Sequence, residues 1–183
     1  MIVCALDLEM NQPSGTIIEI GYTIADTETD QIKVSKGLIV NPHEQLSDMI
    51  IKLTGINQDM VDTGQELLDA YLEMVKDCED FSAHRQPVVW GSGDLRVLRE
   101  QVYKKDANVF ANEWSFGYTE MNIKGIVQGI MVANGRSAQG GLAKSLLKFG
   151  LNFKGTKHRA IDDSANTFFL YVELLKRLKC LTL

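Results

Sequence analysis

The feature that most constrains this chain is a pair of strand-forming runs set close together at its start. Residues Ile2 to Leu6 are uniformly apolar, as in a strand buried on both faces, and the run continues through Asp7-Leu8-Glu9-Met10. Asn11 to Gly15 reads as a turn, and Thr16 to Ala25 is rich in β-branched and aromatic residues. A hairpin follows from that spacing. A third strand fits Gln31 to Val40, where Ile32, Val34 and then Leu38, Val40 alternate, with an interruption around Ser35 to Gly37. Three consecutive strands predict an antiparallel meander.

Strand side chains alternate sides, so Asp7 and Glu9 share one face while Leu8 points oppositely. Two like charges at the end of a buried strand cost free energy unless a cation or proton compensates them, and Mg²⁺ or Mn²⁺ suits oxygen ligands. Taken alone, the D-x-E pair is equally compatible with two hydrated acids where a strand meets solvent.

The 183 residues are 45% hydrophobic and 23% charged, which predicts one globular domain spanning 1–183 with a substantial core. Cys4, Cys78 and Cys180 are an odd number in apolar surroundings with no C-x-x-C spacing. That argues against a disulfide framework or a zinc site and for a reducing cytoplasm. No run approaches the length of a membrane span, so no membrane partner is expected. The formal net charge of −5 provides no global field to recruit nucleic acid. Acids later neutralised by metal would distort that count.

Further along, Leu46-Ser47-Asp48 leads into a short helix, Met49 to Leu53, that stops at Thr54-Gly55-Ile56, and a second begins near Asn57. From Gly64 to Asp80 apolar residues recur at helical spacing. Pro87 to Gly91 is a brief apolar run, and a helix from Asp94 to about Lys105 follows it, an α/β signature. A short strand is expected within Trp114 to Thr119 after the polar Asp106 to Glu113 region. Asn122 caps a helix through Val132, Leu142 to Phe149 is another ended by Gly150, and the last helix runs from Asp163 to Lys179.

Helical phase separates the two adjacent aspartates of that last helix. Asp163 shares its face with Leu170 and Leu174, whereas Asp162 shares its face with Phe169, Glu173 and Lys176 and can reach water. A carboxylate on an apolar face needs a partner, so Asp163 is the functional candidate. An acid at a helix start also simply complements the helix dipole. Asp94 opens a helix at the carboxyl edge of a strand, where α/β sheets bind ligands, and a plain cap explains it equally well. His158, between Lys157 and Arg159, is no core imidazole, and its interest is that it lies five residues before Asp163.

The D-x-E of the first strand, Asp94 in G-x-G-D-L and the segment H-R-A-I-D-D together resemble the DEDD-type 3′→5′ exonucleases, in the branch that carries a histidine (DEDDh). The resemblance covers nearly the whole chain, including Ile17-Ile-Glu-Ile-Gly21, Leu53-Thr-Gly-Ile56 and Gly141-Leu142. The segment from His158 to Thr167 is most similar to exoribonucleases that trim histone messenger and small RNAs. That subgroup shows G-D-x-D-L, where this chain has Ser92 in place of the earlier acid.

The resemblance implies an α/β, RNase H-like fold: a mixed five-stranded sheet, its first three strands antiparallel, with helices on both faces. It implies that Asp7, Glu9, Asp94 and Asp163 ligate two Mg²⁺ ions, Mn²⁺ substituting, and that His158 is the general base. Met10, Asn11, Leu53, Thr54, Gly55 and Ile56 would form the terminal-nucleotide pocket. The expected activity is hydrolysis of single-stranded RNA or DNA from its 3′ end to 5′-mononucleotides, RNA favoured. Lys154, Lys157 and Arg159 are candidates to grip upstream phosphates. A non-cleaving nucleic-acid-binding module on the same fold is the alternative, disfavoured because all five catalytic positions are filled. An endonuclease is a further rival, and His158 so near Asp163 is the wrong signature for it. A monomer and a homodimer are both compatible with the sequence.

Overall fold

Alternation along the first strand divides the molecule into two layers. In the computed structural model, which describes residues 1–179, β1 (Ile2–Met10) pairs antiparallel with β2 (Ile17–Asp26), and β2 pairs antiparallel with β3 (Ile32–Ile39). The helices α1 (Asp48–Thr54), α2 (Gln58–Asp62) and α3 (Leu67–Asp80) come next. A two-residue strand, β4 (Val88–Val89), then lies parallel to β1 and leads into α4 (Asp94–Lys105) and α5 (Ala107–Glu113). The second two-residue strand, β5 (Met121–Asn122), lies parallel to β4 and runs directly into α6 (Ile123–Ala133). After α7 (Leu142–Lys148) comes the long α8 (Ala160–Leu178). The five strands form one sheet in the order β3-β2-β1-β4-β5.

Cys4, Leu6 and Leu8 of β1 pack with Tyr22 and Ile24 against α3 (Ala70, Tyr71, Met74) and α4 (Leu95, Leu98). Val3 and Ala5 point the other way, into a core built from α6, α7 and α8 through Val127, Leu146, Phe168 and Tyr171. Each large apolar side chain so buried contributes about 1.5–3 kcal/mol. Asp7 and Glu9 continue the odd-numbered face of β1 and so point toward α8. A smaller cluster of Ile18, Leu46, Ile50, Ile56 and Val61 seats α1 and α2.

Helix starts are set by local chemistry. Ser47, Asn57, Asp106 and Asn122 each accept backbone N–H groups at the N-termini of α1, α2, α5 and α6. Gly55 closes α1 at φ 73°, and Gly150 follows α7 at φ 83°. The free thiols of Cys4 and Cys78 are buried, whereas Cys180 lies outside the described residues. Among the described residues no helix is long and apolar enough to cross a membrane.

Two expectations need correction, and one region gains a helix. No strand forms within Trp114 to Thr119: Trp114 stacks on Tyr71 and tilts against Phe110, and the sheet's last strand is Met121–Asn122. The polar region before Trp114 is helix α5, begun by Asp106. The third strand forms within Gln31 to Val40 as expected, and pairing of Ser35 with Thr23 and Gly37 with Gly21 carries it through the break in apolar alternation. The last helix starts at Ala160, three residues early, because the Ala160 N–H is met by Glu19 from another strand and needs no local cap.

Candidate active site

The first turn of α8 reaches β2 through a trough of glycines. A Cβ added to Gly21 would lie 1.9 Å from the Ala160 carbonyl carbon, so only glycine admits this approach. Gly37, its partner on β3, leaves room for the Glu19 carboxylate and Ile161. Gly21 is also the cross-strand partner of Asp7, and Glu19 that of Glu9. The trough therefore docks α8 where the β1 acids project. Thr23, on the same face, hydrogen-bonds Ser164 at 3.1 Å.

Glu9, His158 and Asp163 converge there, with a ligand atom from each lying within 4.8 Å of the others. Asp7, Glu9, His158 and Asp163 line one cleft of about 450 Å³ together with Trp90, Leu142, Phe153, Lys144 and Lys157. Asp94, the first residue of α4, is not among the residues lining the cleft, but its charge acts on both Asp7 and Glu9. Asp94 is not the cap of α4, whose Gly93 and Leu95 N–H groups donate to Glu120 at 2.7 and 3.1 Å. The five residues expected from the sequence thus come together from three separate segments.

The electrostatics are those of an uncompensated acid cluster. Desolvation, followed by the charges of Asp94, Asp163 and Glu9, pushes Asp7 well above the ordinary carboxylate range. Desolvation and then Asp163 push Glu9 up to about 8. Asp94 rises to about 6 through desolvation and Glu120, and desolvation also raises Asp163 against the opposing hydrogen bond from the His158 backbone. Such a set, all oxygen donors with one imidazole, matches the ligand chemistry of a hard divalent cation, whose charge would reverse these shifts.

The remaining candidates divide. Asn11 is buried and fully used: its side-chain amide donates to Glu44 at 2.8 Å and to the Gln45 carbonyl at 3.0 Å, and it accepts the Ser47 N–H at 3.0 Å. Thr54 is likewise turned inward, donating to the Ile50 carbonyl and accepting the Ile56 N–H, and Ile56 is in the core. Met10 is partly buried, Gly55 is exposed, and Leu53 is 45% exposed. Of the basic candidates, only Lys157 lines the cleft. Lys154 lies over the Phe169 ring beside another cavity, and Arg159 is committed to Glu19. Asp162 does more than face water, since it accepts the Thr156 N–H at 2.8 Å.

The sequence reading did not single out Glu19, Glu120, Trp90, Lys144 or Phe153. The signal for Glu19 was present, as a charged residue inside an otherwise apolar strand with no local partner. Trp90, Lys144 and Phe153 carried none, because only tertiary packing brings them to the cleft.

Strand order and layers are those of an RNase H-like fold. The chain belongs to the exonuclease family: the RNase T-type exonuclease model matches residues 4–171. Human 3′-5′ exoribonuclease 1 is 27% identical over 190 residues, covering 95% of this chain and 52% of that protein. Mouse ERI1 exoribonuclease 2 is 26% identical over 179 residues, covering 89% of this chain and 26% of that protein. The chain thus spans about half the length of the first relative and a quarter of the second. The crystallographic structure of the nuclease domain of 3′hExo, a DEDDh family member bound to rAMP, matches with a TM-score of 0.75 at 22% identity, covering 96% of this chain and 92% of that one.

Proposed function

We infer that this chain is a 3′→5′ exonuclease that removes 5′-mononucleotides from single-stranded 3′ ends, RNA favoured over DNA. The convergence of Glu9, His158 and Asp163 within ligand distance, beside Asp7 and Asp94, carries this reading. The exoribonuclease names of the sequence relatives and the rAMP bound to the 3′hExo nuclease domain favour RNA.

Asp7, Glu9, Asp94 and Asp163 would hold two Mg²⁺ ions, with Mn²⁺ as a substitute. When bound, these cations supply charge neutralisation at the phosphodiester and lower the pKa of water. His158 is the group that takes the proton from the attacking water. Its exposed position on the loop before α8 leaves the ring free to receive a proton at the cleft and release it to solvent. Lys144 and Lys157 line the same cleft and meet phosphate charge, while Trp90, Leu142 and Phe153 give it an apolar wall against which unstacked bases pack. Met10 and the exposed Leu53 are the apolar contacts of the terminal-nucleotide seat. Asn11, Thr54 and Ile56 hold its backbone in place around Gly55.

The test is degradation of matched 3′-end- and 5′-end-labelled single-stranded RNA and DNA with Mg²⁺, Mn²⁺ or chelator. The proposal expects labelled mononucleotide from the 3′-labelled strand, progressive shortening of the 5′-labelled strand, and no reaction with chelator. Internal fragments would instead mean an endonuclease, and binding without product a non-cleaving module.

A further inference from the structure

His158 stands on backbone that does not hold itself. Its φ of 62° is in the left-handed region, which a residue with a side chain adopts only when its surroundings impose it. Two contacts do so. The His158 N–H donates to Asp163 Oδ2 at 2.7 Å, and the next residue, Arg159, is gripped by Glu19.

Glu19 has 0% of its surface exposed and lies directly across the β1/β2 ladder from Glu9. Position alone would make it a fifth ligand. Its oxygens are already engaged: Oε1 accepts Arg159 Nη2–H at 2.9 Å, and Oε2 accepts Arg159 Nε–H at 3.2 Å and the Ala160 N–H at 2.8 Å. A planar guanidinium held by both oxygens is fixed in direction as well as distance. The third bond anchors the first residue of α8. The carboxylate therefore ties the two residues that follow His158 to the middle of the sheet, 140 residues away in sequence.

We propose that Glu19 is a positioning residue: through its forked pair with Arg159 it fixes the loop that presents His158 to the acid cluster. This deepens the function proposed above and rests on His158 being the base. Glu19 touches neither substrate nor cation. Without the clamp the imidazole wanders, and misplacement on the ångström scale costs rate without cost to substrate affinity.

The test is steady-state cleavage of single-stranded RNA in Mg²⁺ by Glu19→Gln, Arg159→Lys and His158→Ala, alone and as the pairs with His158→Ala. Glu19→Gln is expected to lower kcat by about 10- to 100-fold, with KM and the Mg²⁺ activation midpoint unchanged. Arg159→Lys keeps the charge but not the fork and is expected to show a smaller loss of the same kind. In the His158→Ala background either change should cost less than about twofold more, since residues acting through one another are not additive. If Glu19→Gln fails to fold, Arg159→Lys carries the same cycle, because that side chain is 27% exposed. Losses that multiply, or a shifted Mg²⁺ midpoint, would overturn the positioning role alone. An inactive wild type, or a His158→Ala enzyme as fast as wild type, would overturn the proposed function and this role with it.

Discussion

Glu9 and Glu19 are cross-strand partners whose carboxylates have opposite fates. Glu19 is paired with Arg159 and accepts a backbone N–H, whereas Glu9 is pushed up to about 8 by desolvation and then by the charges of Asp163, Glu19 and Asp94, with Arg159 opposing. One acid of the pair is part of the scaffold. The other is left wanting a cation.

Asp163→Asn should reduce cleavage by ~10²-fold or more while the protein stays folded. The amide oxygen can still accept the His158 N–H, so the loop survives while the charge that would hold the cation is lost. Product release from labelled RNA, read beside a circular dichroism melt, checks both halves, and Mg²⁺-dependent hydrolysis at wild-type rate would sink the assignment.

His158→Ala should slow the reaction by ~10² to 10⁴ and leave divalent-cation affinity nearly intact. Because His158 lies within ligand distance of Glu9 and Asp163, calorimetric titration with Mn²⁺ is the deciding measurement. A loss of affinity as large as that of Asp163→Asn would make it a ligand.

Cation-free protein should lose stability as pH rises. Glu9 goes from an ordinary value of 4.5 to about 8 in the fold, and Asp94 from 3.8 to about 6. A carboxyl with a raised folded pKa binds its proton more tightly when folded, so its ionisation penalty is absent below the unfolded value and complete above the folded one. The melting temperature in chelator should therefore fall between about pH 4 and about pH 8, and Mg²⁺ should flatten the slope. A slope unchanged in Glu9→Gln would place its origin elsewhere.

By the same reasoning Asp7→Asn should inactivate the protein yet stabilise its cation-free form, by about 1 kcal/mol or more, since it removes a carboxyl whose ionisation is penalised by desolvation and by Asp94, Asp163, Glu9 and Glu19. Denaturant midpoints in chelator measure this. An unaltered or lowered midpoint would mean that the acid cluster carries no strain.

Gly21→Ala should destabilise by about 3 kcal/mol or more, because the new methyl meets backbone atoms of α8 that cannot rotate away. Urea unfolding tests it, and a wild-type midpoint would show that α8 lifts off the sheet at little cost.

Much of this was legible in the chain. The D-x-E alternation put Asp7 and Glu9 on one face, and helical phase put Asp163 with the buried Leu170 and Leu174. What escaped lacked a period or a local partner. β5 is two residues long and exists because β4 pairs with it, and α5 is held by the Asp106 cap and by Phe110 against Tyr103 and Trp114. The start of α8 was read late because its anchor, Glu19, comes from the second strand. Arg159 reads in the sequence as a candidate for upstream phosphates, and its pairing with Glu19 escapes for the same reason.

Asp163 joins the acids of β1 only when α8 settles into the glycine trough of β2 and β3. Until that helix docks, the cation-binding centre proposed above lacks its fourth carboxylate.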